Sequence, residues 1–454
     1  MHNVPDSGCD GGGLSADEAD TLFSRLIPFS NLALAVSGGS DSLCLLVLFS
    51  EWRQRNRWDG SVEILVVDHG LRPESAAEAQ FVRDAAGRHG LEARMLLWEG
   101  IKPVSNMQDE ARRARYRLMA ERVAETGAQA LVLGHHMDDQ AETFLDRLTR
   151  GSGVSGLSAM AIDEPDGPEG LRLLRPFLGV RKTRLEASLC ERGLDWCRDP
   201  SNDSAKYKRS RLRRIMALLE AEGLTAERLS ETAGRMRRSR AALDTVVHDI
   251  ASRHLEHHIS GPARMNRGFY RDLPEDLRLR LLKEMVLGVT GRRPEPRLRQ
   301  LETLDAFLLS GQDGRQTLCG ATFEAGKALL WCWREAGRTP PETLDGVTGS
   351  GVWDRRYRYA VPGADADAAC REGLRLGPLM HAPITPKDII WPQGWPKSAF
   401  ECSPVVWDGQ GAVLAHKVCL KSRTGENNHS CSLDLERVPI RGRLLLGRDD
   451  KRVF

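Results

Sequence analysis

The chain has 454 residues, with 65 Lys plus Arg against 63 Asp plus Glu and a formal net charge of +2. At ~150 residues per domain this length predicts about three domains, and a composition 41% hydrophobic and 28% charged excludes a wholly disordered chain. The longest apolar run, Leu43 to Phe49, is far short of the ~20 residues a membrane span needs. The polar, acidic start (Met1 to Asp20) has neither the basic nor the apolar stretch of a secretion signal. Ten scattered cysteines without a C-x-x-C pair argue against a disulfide framework or a zinc ribbon, so a reduced cytoplasm is the expected compartment.

The near-zero charge total hides a strong asymmetry. Residues 1–30 carry five acids and one base, and read as an acidic flexible leader. Residues 181–240 carry sixteen bases and nine acids, a net +7 that is the footprint expected of a polyanion-binding surface.

From Asn31 short apolar strands alternate with amphipathic helices. Strands are predicted at Leu32–Val36, Val62–Val67, Arg94–Trp98 and Ala130–Leu133. Helices are predicted after the first Ser/Gly turn through Trp52, then at 74–88, 107–126 and 138–149. Such alternation implies βαβ units and a doubly wound parallel sheet, in which ligands sit at the carboxyl ends of the strands. After about residue 180 the pattern turns helical, at 180–192, 206–222, 226–258 and 273–287. The Pro/Gly/Thr-rich run 337–351 reads as a linker to a small, Trp-bearing α+β region. The expected layout is therefore a leader (1–30), an α/β domain (31–215), a helical domain (216–338), a linker (339–351) and a C-terminal domain (352–454).

The loop after the first strand is Ser37-Gly38-Gly39-Ser40-Asp41-Ser42. Its glycines permit a tight turn whose N–H groups and following helix N-terminus cradle phosphate oxygens. The serines add hydroxyl donors, and Asp41 can position Mg²⁺ on the phosphates. The loop lacks the lysine of G-x-x-x-x-G-K-[ST], so it is no Walker A loop. It matches SGGxDS, the signature of the ATP pyrophosphatases, which cleave ATP between the α and β phosphates. Gly151-Ser-Gly153-Val-Ser-Gly156 also fits G-x-G-x-x-G, but it follows a helix instead of a strand, so the dinucleotide-binding reading is rejected.

Four further stretches carry chemistry. Leu133-Gly134-His135-His136-Met137-Asp138-Asp139 runs from the fourth strand into a helix, with His135 and Asp139 spaced to share a face beside the phosphate loop. Val67-Asp68-His69-Gly70-Leu71-Arg72 ends the second strand as another charged wall. The helix from Asn106 brings Arg112, Arg113, Arg115 and Arg117 around Tyr116. Finally, six of the nine residues Lys206-Tyr207-Lys208-Arg209-Ser210-Arg211-Leu212-Arg213-Arg214 are basic. Such a strip neutralises phosphates and offers an aromatic face to an unstacked base.

Taken in this order, SGGSDS, VDHGLR, the N-x-Q…AR-x-x-RY helix, LGHHMDDQAET, RGSGVSGLSAM, LRPF at Arg175 and DPSNDSAKYKRSRLR resemble the tRNA(Ile)-lysidine synthases. The likeness is dense over residues 31–215 and loose beyond, and it departs at Ser210, where the family usually carries Asn. The resemblance implies a PP-loop ATP pyrophosphatase fold followed by a helical tRNA-binding domain and a C-terminal domain that recognises tRNA. It implies ligation of L-lysine to the wobble cytidine of tRNA(Ile) with a CAU anticodon, using ATP and Mg²⁺, with no obligate protein partner and no membrane. By carry-over, Ser37 to Ser42 bind ATP, while His135, Asp138 and Asp139 line the lysine side. Arg112, Arg115 and Arg211 contact the nucleotide or activated base, and Lys206, Tyr207, Lys208, Arg209 and Arg213 hold tRNA. Asp41 and Asp139 would hold the metal, and Asp139 is the candidate base for the amine. A tRNA-thiolating enzyme would share the loop but needs reactive cysteines. An amidating synthetase would need no RNA strip, and a non-catalytic tRNA-binding protein would leave the loop idle.

Overall fold

The computed structural model describes residues 12–70, 75–100, 102, 107–197, 208–291, 295–338, 340–361, 373–416, 419–420 and 434–437. The chain folds as two units, residues 1–241 and 242–454.

The first unit opens with α1 (Ala16–Phe23), followed by β1 (Asn31–Ala35), α2 (Ser40–Arg55), β2 (Ser61–Asp68), α3 (Ser75–Arg88) and β3 (Glu92–Leu97). Then come α4 (Met107–Thr126), β4 (Ala130–Leu133), α5 (Met137–Leu148), the single turn α6 (Val154–Leu157), β5 (Asp163–Glu164) and β6 (Leu173–Leu174). The helices α7 (Lys182–Cys190), α8 (Lys208–Ala221) and α9 (Ala226–His254) follow. The sheet order is β3-β2-β1-β4-β6-β5, parallel except for the last pair. This is the expected doubly wound arrangement.

Alternate residues of each strand serve opposite faces. Leu32, Leu34, Ile64, Val66 and Val132 pack under α1, α2, α3 and α7. Ala33, Leu65, Leu131 and Leu133 pack with Tyr116 and Met119 of α4. Helix α2 buries Leu43 through Phe49 as a continuous run, which is why it reads as apolar all round. Helix α5 is sandwiched differently, its Ala141, Phe144 and Leu145 meeting Leu212 of α8 and Leu229 and Ala233 of α9.

The leader differs from expectation from Ser15 onward. Ser15 and Glu18 form a reciprocal capping box that starts α1. Phe23 and Leu26 are fully buried, and the Phe23 ring lies 5.7 to 6.0 Å from Trp52, Phe177 and Phe49. Arg184 of α7 holds Glu18 at 2.8 Å and keeps that carboxyl down near 2. The acidic residues point outward from a helix whose inner face completes the core. Phe23→Ala is expected to cost about 3–5 kcal/mol of unfolding free energy, read from denaturant midpoints; a change under about 1 kcal/mol would contradict this packing.

In the second unit, residues 256–334 are not purely helical. Strands β7 (Glu256–His257), β8 (Ala263–Asn266), β9 (Gly314–Leu318), β10 (Ala321–Ala325) and β11 (Leu329–Arg334) form an antiparallel sheet in the order β7-β8-β11-β10-β9. Helices at Glu275–Thr290 and Leu298–Leu309 share one core with it. The β9–β10 hairpin turns on Cys319-Gly320, both at positive φ, so the mirror-image turn that matches strand twist is made without an Asn-Gly signal. The expected linker also contains strand, at Leu344–Asp345 and from Ser350. Trp353 and Tyr357, just beyond, are core residues. Strands at Leu344–Asp345, Arg375–Pro378, Pro404–Trp407 and Val413–His416 make a four-stranded sheet.

Candidate active site

Parallel topology brings the loops after β1, β2 and β4 to one edge of the sheet, because β1 lies between the other two. After β1 the chain turns at Gly38, whose φ of +84° is in the left-handed region that costs a side-chain-bearing residue roughly 1–2 kcal/mol. Gly39 then caps α2. Ser42 braces the loop from inside: its Oγ accepts the Ser37 N–H at 3.1 Å, donates to the Gly39 carbonyl at 3.1 Å and sits 3.2 Å from Ser37 Oγ. Ser40, nearly buried, donates to Asp41 Oδ1 at 3.0 Å and lies 3.4 Å from Glu186 Oε1. The Cys197 N–H donates to the Gly38 carbonyl at 2.9 Å, an outer clamp on the same turn.

The loop after β4 crosses the start of α2 at Gly134. A Cβ there would sit 2.9 Å from the Asp41 carbonyl oxygen and 3.2 Å from Ser42 Cα, so only glycine lets the two backbones approach. His136, 2% exposed, is the cap of α5. Its Nε2 is 3.4 Å from both Asp41 Oδ2 and Asp139 Oδ2, and its Nδ1 is 3.5 Å from Asp138 Oδ2. Burial opposes a charge on this ring. The hydrogen bonds to Asp138 and Asp41 and the Asp139 charge outweigh it and push the imidazole up to about 10. Asp138 shows the same contest. Burial would raise it, but His136, the Lys182 N–H at 2.8 Å and Arg181 hold it at about 2. Asp41 is likewise held below its ordinary value, against its burial, chiefly by His136.

The spacing of His135 and Asp139 predicts two side chains on one helical face; the structure uses them differently. Asp139 turns back to accept the His136 N–H at 3.1 Å. His135 precedes the helix, is pushed down to about 3 by burial and by Arg175, Arg112 and Arg115, and keeps a buried Nδ1 with no hydrogen-bond partner among the described residues. After β2, Asp68 accepts the Gly70 N–H at 2.8 Å. His69 stands edge-on to Trp98, and burial and Arg115 push its imidazole below the ordinary value.

On α4, Arg113 and Arg117 are engaged by Glu110 and Glu121, whereas Arg112 and Arg115 lie against the Tyr116 ring, 5.1 and 5.7 Å from its centroid. On α8, Arg211 is exposed. Arg213 departs from the RNA-strip expectation: its Nε lies 2.5 Å from the buried Glu142 of α5, which makes it the tie between two helices. Lys206 and Tyr207 lie outside the described residues, as does Arg72. Lys208 and Arg209 open α8, and their side chains are not among those described.

The second glycine motif forms the turn into α6, after a helix as expected. Its Gly156 carbonyl accepts from Arg147 at 2.7 Å. Cys44 is fully buried with its thiol pushed up to about 12 by burial, and burial raises Cys197 as well, so neither is primed as a thiolate for sulfur transfer. Sequence reasoning missed Gly134, His136, Lys182 and the Cys197 clamp. The His136-x-x-Asp139 capping pattern was the one available signal.

A lysine-free glycine loop opening a helix at the edge of a parallel sheet, faced by a histidine set among carboxylates, defines an ATP-using domain of the PP-loop class. A family model described as a PP-loop domain matches residues 15–219, starting before the boundary expected at residue 31. A tRNA(Ile)-lysidine synthase from Bradyrhizobium sp. strain BTAi1 is 39% identical over 337 residues, covering 70% of this chain and 93% of that one. One from Ruegeria pomeroyi is 36% identical, covering 86% and 88%, and one from Rhodopseudomonas palustris is 41% identical, covering 71% and 92%. The chain belongs to the tRNA(Ile)-lysidine synthase family and is an ATP-dependent ligase.

Proposed function

We propose that the protein ligates L-lysine to C2 of the wobble cytidine in the CAU anticodon of tRNA(Ile), converting codon reading from AUG to AUA. The C2 oxygen of the cytidine attacks the α phosphate of ATP and diphosphate leaves; the lysine ε-amine then attacks C2 and displaces AMP. The observation that carries this reading is family membership over nine-tenths of a relative's length, joined to a phosphate loop that lacks a γ-phosphate lysine. A loop of that kind suits attack at the α phosphate, with the α2 N-terminus and the Gly38–Ser40 backbone receiving the phosphates.

Asp41 and Asp139 are the proposed carboxylates for the Mg²⁺ that ATP carries: each has an oxygen 3.4 Å from one His136 nitrogen, so the two acids share the rim of the loop, and Mg²⁺ on phosphates needs only one or two protein carboxylates. Bound there, Mg²⁺ would screen the phosphate charge. Arg112, Arg115 and Arg211 are the proposed contacts of the nucleotide or activated base. The compartment proposed is the cytoplasm; among the described residues no helix is long and apolar enough to cross a membrane.

The amine must lose a proton before it attacks. Asp139, whose carboxylate stands with Asp41 at the rim of the phosphate loop, is the proposed acceptor. Because Asp139 also caps α5, Asp139→Asn is the informative variant: its amide oxygen keeps the cap and loses the charge. Lysine incorporation is expected to fall about 10²- to 10⁴-fold in protein still folded at the assay temperature, far more than the lost charge beside His136 would cost through stability alone; near-normal turnover at saturating Mg²⁺ would remove Asp139 from this role. The reading as a whole is tested with ATP, labelled lysine and a CAU-anticodon tRNA(Ile) transcript. Lysine-dependent label in RNA with AMP release supports it, and no label overturns it.

A further inference from the structure

The phosphate loop must receive a polyanion, yet Asp41, Asp138 and Asp139 already crowd its rim around a single imidazolium. Two cations in the chain next to this cluster come from the start of α7. Arg181 is spent: its guanidinium meets Asp138 at 3.0 Å, Glu220 at 3.1 Å and Glu227 at 3.2 Å. Lys182 is held otherwise. Its backbone N–H is fixed on Asp138 Oδ2 at 2.8 Å, whereas its ammonium has a long contact of 3.7 Å with Glu186 Oε1, beyond hydrogen-bond length. That same Glu186 oxygen lies 3.4 Å from Ser40 Oγ, at the first residue of α2. The ammonium is thus parked beside the mouth of the loop on a weak partner, on a flexible four-carbon stem that can exchange the carboxylate for a phosphate.

We propose that Lys182 supplies the cation the loop sequence omits, by binding the β and γ phosphates of ATP and remaining on the departing diphosphate. In the adenylation step the bond from the C2 oxygen to Pα forms and the bond from Pα to the bridging oxygen breaks. The electron pair stays on that oxygen of diphosphate, where the Lys182 ammonium meets the new charge. Glu186 is its resting partner between turnovers. This inference rests on the ligation reading for the step, though not for nucleotide binding itself.

The test compares wild type, Lys182→Ala and Lys182→Arg for equilibrium ATP affinity, the KM for ATP and for lysine, inhibition by added diphosphate, and melting temperature. In Lys182→Ala, ATP affinity is expected to fall about tenfold or more, with a matching weakening of diphosphate inhibition. The KM for lysine and the melting temperature should hold, and arginine should restore most of the loss. Unchanged ATP affinity and diphosphate inhibition in Lys182→Ala would overturn the proposal, as would a loss that follows the KM for lysine or the melting temperature. If wild type transferred no lysine, the ligation reading would fail, and the equilibrium ATP and diphosphate measurements would still decide the role of Lys182.

Discussion

Replacing Gly134 with alanine is expected to lower kcat/KM for ATP by about 10²-fold, although the substitution adds only one methyl group. The added carbon would lie 2.9 Å from the Asp41 carbonyl oxygen and 3.0 Å from its carbonyl carbon. Both are backbone atoms of the first turn of α2, so no side chain can swing aside. Relief requires the β4 loop and the phosphate loop to separate by several tenths of an ångström. That separation would displace His136 and Asp139 relative to Asp41, where contacts of 3.4 Å now align them. Steady-state kinetics in ATP, beside a melting curve, read the effect; wild-type kinetics would show that the two loops are not geometrically coupled.

His136→Gln is expected to damage stability and ATP use together. The ring, itself 2% exposed, is the shared cation of three partly exposed carboxylates, and glutamine removes that charge while leaving the acids behind. Removing one partner of a buried ionic cluster costs about 3–5 kcal/mol. For a unit of this size that corresponds to a fall of roughly 10 °C in melting temperature. Asp41, left without its compensating cation, would repel incoming phosphate. Calorimetric unfolding and ATP titration test both effects, and a variant that melts and binds as wild type would contradict the cluster described here.

The parallel sheet was legible because its apolar runs alternate with long helices, and the bounds of α4 and β4 agree with their pattern to the residue. So was the location of the site, since a parallel sheet places its loops at the carboxyl ends of the strands. What each loop residue does there was less legible. His136 owes its charge to acids from two loops that are neighbours only after folding, and Lys182 is some 140 residues from the loop it faces. The helix α1 was hidden because three of its eight residues are acidic, while the buried set around it, Leu14, Ala19, Phe23 and Leu26, is spread thinly over residues 14–26. The antiparallel sheet at 256–334 was hidden by helices that surround it in sequence and by a Cys-Gly turn that carries no strong hairpin signal.

The packing of Phe23 and Leu26 beneath Trp52 sets where a shortened catalytic unit can begin. A truncation at residue 31 would keep every chemical group of the site and still uncover the aromatic floor on which α2 rests. The phosphate loop is the first turn of that same helix. Leu14 belongs to the same core and the backbone at Gly12 and Gly13 bonds to α7, so Gly12 is the practical starting point for a shortened protein, and a fusion partner is best attached ahead of it.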